Sequence, residues 1–144
     1  MVPKKLVLIP AVCLLLLIGI VLPTNAYAVR MSPSESITPN YDYISVIGAT
    51  LTIGNKGQAT AGGYVYYLGD YDSTLTIELQ RQNGNGWSVI KSWEKSFTGK
   101  GHHSFEKEYY VASGNTYRVV TTATIKQGNK ILETATSTSS EVKY

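Results

Sequence analysis

Beyond residue 43, apolar or small residues recur at every second position along most of the chain. This period of two is typical of half-buried β-strands, whose side chains alternate between the two faces of a sheet. Four stretches show it most clearly: 47–53, 59–67, 75–79 and 117–125. No stretch after residue 28 carries the apolar stripe of an amphipathic helix. The pattern therefore predicts an all-β domain.

Glycine and asparagine separate these stretches and predict short turns, because both residues tolerate a positive φ. The strongest such signal is Asn83-Gly84-Asn85-Gly86, which predicts a β-hairpin with a primed turn. The returning strand, 87–97, has an unclear phase because Val89 and Ile90 are adjacent; a β-bulge would reconcile it, at a position that the pattern does not give. The last strand is predicted as one segment, 131–142. Seven antiparallel strands in about 100 residues predict an immunoglobulin-like or fibronectin-III-like β-sandwich.

The first 28 residues have the pattern of a secretory signal peptide. Lys4 and Lys5 precede the apolar run 6–22, and Ala26-Tyr27-Ala28 then presents small residues at the positions that a signal peptidase reads. We expect cleavage after Ala28, a secreted, extracellular protein, and no membrane association afterwards. Two alternatives remain. One is an uncleaved anchor, for which the apolar run is slightly short, and the other is lipid attachment at Cys13, whose flanking residues match a lipoprotein site poorly.

Cleavage would leave 116 of the 144 residues, enough for one domain but not for two. Residues 29–42, with Pro33 and Pro39, are predicted to form a flexible leader, and residues 43–144 the sandwich domain. The remaining 11 basic and 10 acidic residues give a net charge of +1, which offers no electrostatic basis for binding nucleic acid. No cysteine remains, so the domain is predicted to be disulfide-free. We also expect a monomer without a cofactor.

Two segments resemble β-sandwich domains in detail. The segment Gly114-Asn115-Thr116-Tyr117-Arg118-Val119 resembles the tyrosine corner, in which a tyrosine near the start of the sixth strand bonds to nearby backbone. The segment 87–93, which begins and ends with tryptophan, follows a leucine-rich strand. This layout is similar to that of an uncharacterised family of small secreted proteins of Gram-positive bacteria, which have a signal peptide and one sandwich domain. The resemblance implies a fold and an extracellular location, and it assigns no catalytic residue.

Histidine and aspartate residues offer little support for a metal site. His102 and His103 are adjacent, so on a strand they point to opposite faces, and neither cysteine nor an HExxH spacing supplies further zinc ligands. Asp70 and Asp72 offer two carboxylates to calcium, but the EF-hand spacing is absent. We therefore expect an ordinary polar turn there and no metal site.

Glu106 and Glu108 are the candidates for catalysis. At i and i+2 of a strand, their Cα atoms would lie about 7 Å apart, a separation compatible with the paired carboxylates of glycoside hydrolases. The same spacing arises on any solvated strand face. Neither a Gly-x-Ser-x-Gly elbow nor a glycine-rich phosphate loop occurs in the sequence. We expect no enzyme activity and no catalytic residue; a secreted glycan-acting enzyme that uses these strand carboxylates is the alternative.

Tyrosine is the remaining signal, with ten of the eleven tyrosines outside the predicted signal peptide. Tyr64 and Tyr66 alternate with Val65, so both rings are predicted to project from one sheet face, away from the core. Tyr71 lies in a loop that follows closely in sequence. Exposed rings can stack on sugars or form a protein interface, although strands also favour tyrosine for its shape alone. Tyr64, Tyr66 and Tyr71 are the predicted ligand-binding residues.

These features predict a secreted, non-catalytic binding or structural module whose partner is an extracellular protein or a glycan. A secreted toxin or antimicrobial is a third class, but strong positive charge and disulfides, which usually mark it, are missing. The surface distinguishes the first two classes, because a flat aromatic patch supports binding and a cleft with two carboxylates supports catalysis.

Overall fold

The computed structural model describes residues 41–144, which form eight β-strands. In chain order they are β1 (Ile44–Ile53), β2 (Gln58–Tyr67), β3 (Asp72–Asn83), β4 (Gly86–Thr98), β5 (Gly101–Tyr110), β6 (Thr116–Gln127), β7 (Lys130–Thr138) and β8 (Val142–Lys143). The predicted signal peptide, 1–28, and all but the last two residues of the predicted leader, 29–42, lie outside the described residues. Within residues 41–144, no helix is long and apolar enough to cross a membrane.

The strands form two antiparallel sheets. One contains three strands in the order β1-β2-β5, and the other runs β4-β3-β6-β7, with β8 also paired to β6. The all-β prediction with antiparallel pairing is therefore confirmed. The predicted number of strands, seven, is wrong, because the described residues contain eight.

The additional strand arises at Ser139, which interrupts the segment 131–142. The Val119 amide donates to Ser139 Oγ at 2.9 Å, and the Ser139 amide donates to the Val119 carbonyl at 2.8 Å. A side-chain oxygen thus replaces a backbone acceptor of the ladder. The chain leaves β7 at this point and pairs with β6 again as β8.

The core lies between the inner faces of the two sheets. Alternate residues of β2, β3 and β6 are buried, as the period of two predicts. The hydrophobic core residues with no exposed surface are Ala49, Ala59, Ala61, Val65, Tyr67, Leu75, Ile77, Leu79, Val119, Ala123 and Ile125. The side chains between them on these strands therefore lie on the outer faces of the sheets.

The hairpin between β3 and β4 has the predicted short turn. Asn83 pairs with Gly86, and Gly84 has a φ of 59° while Asn85 does not have a positive φ. A positive φ at the first central residue is typical of the type II′ turn. The bulge also becomes visible: Leu79 pairs with Lys91 and Gln80 with Val89, so Ile90 is the extra residue of β4.

The tyrosine corner predicted at Tyr117 is confirmed. Its side chain is 1% exposed, and its hydroxyl donates a hydrogen bond of 2.7 Å to the carbonyl of Ala112. The bond ties the start of β6 to the chain that leads into it.

We expect Tyr117→Phe to lower the free energy of unfolding by about 1 kcal/mol, the usual net worth of one hydrogen bond. Urea unfolding of the wild-type and variant domains measures the difference. An unchanged free energy of unfolding would mean that water replaces the hydroxyl at the Ala112 carbonyl without cost.

A second buried tyrosine, Tyr67, lies at the end of β2. Its side chain is fully buried, and its hydroxyl donates to Ser73 Oγ at 2.9 Å. Burial raises the pKa of Tyr67 above the ordinary value of 10.0, the bond to Ser73 lowers it, and the charge of Asp72 raises it further.

We expect this tyrosine to make the domain less stable in alkali. An unfolded tyrosine ionises near pH 10, whereas Tyr67 in the folded domain ionises only at a higher pH, so the unfolded state binds fewer protons in this range and stability falls as the pH rises. Urea unfolding at pH 8 and at about pH 11 measures the loss. Tyr67→Phe should reduce this loss, whereas Tyr110→Phe, at a 68% exposed tyrosine, should leave it unchanged. An equal loss in both variants would contradict the assignment.

A carboxylate joins the two sheets on the side where β1 lies near β7. Glu133 Oε1 accepts the Asp42 amide at 3.0 Å, and Glu133 Oε2 accepts the amides of Tyr43 and Ile44 at 3.0 and 2.8 Å. Glu133 pairs with the inward-facing Ile125 and follows a bulge in β7. Its carboxylate therefore faces the gap between the sheets and fixes the start of β1.

Candidate functional site

Tyr64 and Tyr66 lie on the outer face of the three-stranded sheet, as predicted. Val65 and Tyr67 are fully buried, whereas Tyr64 and Tyr66 are partly exposed. In the register, Tyr64 pairs with Gly48 of β1 and Ser104 of β5, and Tyr66 pairs with Val46 and His102. Both rings thus occupy the middle strand, with neighbours on each side.

The ring of Tyr64 is held by its two neighbouring strands. A Cβ atom at Gly48 would lie 2.2 Å from Tyr64 Cζ, so the ring covers the backbone of Gly48. On the other side the ring stacks on His102, with centroids 5.6 Å apart and planes 22° apart. We call the surface formed by Val46, Gly48, Tyr64, Tyr66 and His102 the tyrosine face.

Tyr71 does not join the tyrosine face by any contact that the structure shows. Its ring lies edge-on to Tyr43 at 5.7 Å and tilted against the buried Tyr67 at 6.3 Å. It also covers the backbone of Gly69, where a Cβ would lie 2.0 Å from the ring. Tyr71 therefore packs over one end of the core, and its predicted role in ligand binding stays a prediction.

The two histidines lie on opposite faces of β5, as expected for adjacent strand residues. His102 is exposed on the tyrosine face. His103 faces inward, with its ring 4.9 Å from Phe97 and 5.1 Å from Tyr67, and its Nε2 is 2.8 Å from the Gly99 carbonyl. No group of three or more His, Cys, Asp or Glu side chains in residues 41–144 is arranged to hold a metal ion.

Asp70 and Asp72 line a shallow depression of about 190 Å³ at one end of the domain. Asp72 already belongs to β3, where it pairs with Thr98 and Lys126. Lys126 also lines the depression. The lining thus combines two aspartates with a lysine, and the expected polar turn without a metal ion stays a prediction.

Glu106 and Glu108 both lie on the outer face of β5 and are exposed. Glu106 pairs with Gly62 of β2, and the side chains of Glu106 and Thr50 both lie against this glycine. Neither glutamate lines the depression at the end of the domain. The pair therefore lies on an exposed strand face, away from that depression.

The sequence did not predict the two residues that contact the ring of Tyr64. His102 and Gly48 lie 38 and 16 positions from Tyr64 in the sequence and meet it only through strand pairing. Glycine opposite an aromatic residue is a recognised pairing in sheets, because the ring covers the exposed glycine backbone. The register of the three strands was the missing signal.

Comparisons with known proteins give one structural likeness. No family model matches the chain, and no curated protein matches it. Among solved structures, the chain is similar to the solution structure of CsgH from R. palustris, with 14% identity, a TM-score of 0.38, and coverage of 63% of this chain and 88% of that one. A likeness this loose transfers neither a function nor a site.

Proposed function

We propose that this protein is a secreted, non-catalytic binding or structural module that contacts an extracellular protein or cell-surface polymer through the tyrosine face. The observation that carries the proposal is the stack of Tyr64 on His102 over the bare backbone of Gly48. A ring held on both sides loses little conformational entropy when a partner covers it. The face also has the mixed apolar and polar character that aromatic interfaces use.

The position of Tyr64 also has a purely structural explanation. Tyr64 stabilises β1 by covering Gly48, whether or not a partner binds. That explanation does not extend to Tyr66, whose partner on β1 is Val46 rather than a glycine. Covering one glycine therefore explains Tyr64 but does not explain a second partly exposed ring on the same strand.

We further propose a fibronectin-III-like sandwich with the boundaries predicted from the sequence: a signal peptide at 1–28, a leader at 29–42 and the domain at 43–144. In immunoglobulin constant domains the fourth strand belongs to the sheet of the first, second and fifth strands. Here β4 pairs with β3 instead, which favours the fibronectin-III-like variant. The bond from Tyr117 to Ala112 supports the same choice of fold class.

Co-sedimentation with purified bacterial cell walls tests the proposed face. We expect the double variant Tyr64→Ala with Tyr66→Ala to weaken binding by about 2 kcal/mol, as the loss of central aromatic residues does at interfaces, or about 30-fold. Its melting temperature should fall only modestly, because both rings lie outside the core.

Tyr110→Ala is the matched control, since Tyr110 is 68% exposed at the far end of β5. It should bind cell walls as the wild type does. Equal weakening by Tyr110→Ala would mean that the tyrosine face is not the site. A large loss of stability without loss of binding in the double variant would leave only the structural role of these rings.

A further inference from the structure

β4 and β5 are edge strands, and together they form the side of the sandwich opposite Glu133. They belong to different sheets and are joined by the short turn at Gly99 and Lys100. The core-facing positions of β4 alternate between aromatic residues and lysine. Lys95, Trp93 and Lys91 pair with the fully buried Leu75, Ile77 and Leu79, respectively.

The core-facing positions of β5 continue this alternation. Phe105, Lys107 and Tyr109 pair with Gly63, Ala61 and Ala59, all of which are buried. Rings meet across the gap between the strands, with Trp93 and Tyr109 6.3 Å apart and Phe97 and Phe105 6.5 Å apart. We call the surface of Lys91, Trp93, Lys95, Lys107 and Tyr109 the β4–β5 seam.

The three lysines of the seam are exposed although their backbone positions face the core. Their aliphatic stems leave the gap between the sheets and carry the ammonium groups into solvent. Lys95 Nζ lies 5.0 Å from the centroid of the Phe97 ring. None of the three forms an ion pair with another described residue, and the acidic residues of the same strands, Glu94, Glu106 and Glu108, have the opposite parity.

This charge arrangement contrasts with the opposite side of the domain. There the core-facing Glu133 is satisfied by three backbone amides. On the β4–β5 side three positive charges stand together in a chain whose formal net charge is only +3. Inward-pointing lysines can protect edge strands from pairing with other chains, but that role does not require Trp93 and the 37% exposed Tyr109 between them.

We propose that the β4–β5 seam binds an acidic polysaccharide, with sugar rings against Trp93 and Tyr109 and sugar carboxylates on Lys91, Lys95 and Lys107. Successive side chains on one face of a strand lie about 7 Å apart, so a ligand that follows β4 meets lysine, an aromatic ring and lysine in turn. An acidic polysaccharide offers a ring face and a carboxylate along its whole length. The tyrosine face does not enter this argument.

Lysine rather than arginine lines the seam. The lysine ammonium is a compact point charge that can meet separate anionic groups, whereas arginine is favoured where one carboxylate or phosphate accepts two parallel hydrogen bonds. The formal net charge of the chain, +3, lacks the large basic excess of nucleic-acid-binding domains, so a uronic-acid polymer fits the seam better than a nucleic acid.

Fluorescence titration with polygalacturonate tests the proposal. The chain has two tryptophans, so in a Trp87→Phe background Trp93 is the reporter. We expect saturable quenching or a spectral shift with polygalacturonate and none with neutral dextran. The affinity should fall as salt is added, because the ammonium groups are exposed and screened.

The triple variant Lys91→Gln, Lys95→Gln, Lys107→Gln should weaken binding at least tenfold. The matched control replaces three exposed lysines elsewhere, at 56, 130 and 143, by glutamine and removes the same total charge. It should bind within twofold of the parent. Lys107→Glu alone should weaken binding several-fold, and circular dichroism checks that each variant is folded.

Three results would overturn the proposal. One is the absence of any response of the parent to polygalacturonate. Another is an equal loss of affinity in the two triple variants, since binding would then follow net charge. The third is tighter binding of a single-stranded oligothymidylate than of polygalacturonate, because the seam would then recognise nucleic acid.

Discussion

Glu133→Ala is expected to lower the free energy of unfolding by about 3 kcal/mol, since hydrogen bonds to a charged group contribute about 1.5 to 3 kcal/mol each and two of these three are solvent-exposed. The substitution removes the acceptor of the amides of Asp42, Tyr43 and Ile44 together. Ile44 is 3% exposed, so its amide is left without its acceptor beside the core. The start of β1 should then separate from β7.

Urea unfolding and amide hydrogen exchange measure this effect. Glu133→Gln should show an intermediate loss, because its one carbonyl oxygen still accepts while its amide group repels the remaining backbone donor. Glu141→Ala removes the same charge at an exposed residue and should change stability little. Exchange should accelerate at Tyr43 and Ile44 in Glu133→Ala. Unchanged protection there would mean that β1 is held by its pairing with β2 alone.

The sequence predicted the strands and faces of the middle of each sheet. Val65, Ile77 and Val119 lie on central strands, where burial on one face produces a regular alternation that the sequence records directly. The hydroxyl bond of Tyr117 was also predictable, because the turn and the tyrosine are close in sequence.

The edge strands were less predictable, because their structure depends on contacts with segments that are distant in the sequence. Ile90 is an extra residue in β4 and shifts the parity of the strand, so the bulge emerges only from pairing with β3. Ser139 ends β7 through a bond to Val119, which lies 20 residues earlier. The acceptor role of Glu133 was not predicted, because it depends on the start of β1, about 90 residues earlier in the chain.

In the candidate site, too, local features were predictable and contacts between distant strands were not. The outward direction of Tyr64 and Tyr66 came from their alternation with Val65. The neighbours that give the tyrosine face its shape, Gly48 and His102, come from other strands. Tyr71 was grouped with the two rings on sequence proximity, but the turn before β3 directs it towards Tyr43 and Tyr67 instead.

Gly63→Ala is expected to lower the free energy of unfolding by about 2 to 3 kcal/mol, the upper part of the usual range for overpacking a core. A Cβ at this position would lie 2.7 Å from Thr121 Oγ1, 2.8 Å from Thr121 Cγ2 and 3.0 Å from Ile77 Cγ1. These atoms belong to the facing sheet, and both residues are fully buried. The glycine therefore allows β2 to approach β3 and β6 closely. Intrinsic strand preference does not account for such a loss, because alanine weakens a strand less than glycine does.

A double-mutant cycle with Thr121→Ala tests whether this contact is the cause. Thr121 Oγ1 is buried with no hydrogen-bond partner among the described residues, so its removal costs packing but no bond. Thr121→Ala deletes both of the atoms that approach Gly63 most closely. The double variant should therefore be more stable than Gly63→Ala alone, with a coupling free energy of about 1 to 2 kcal/mol, within the range for residues in contact. Strictly additive losses would mean that Ile77 or the backbone of β2, and not Thr121, limits the approach of the two sheets.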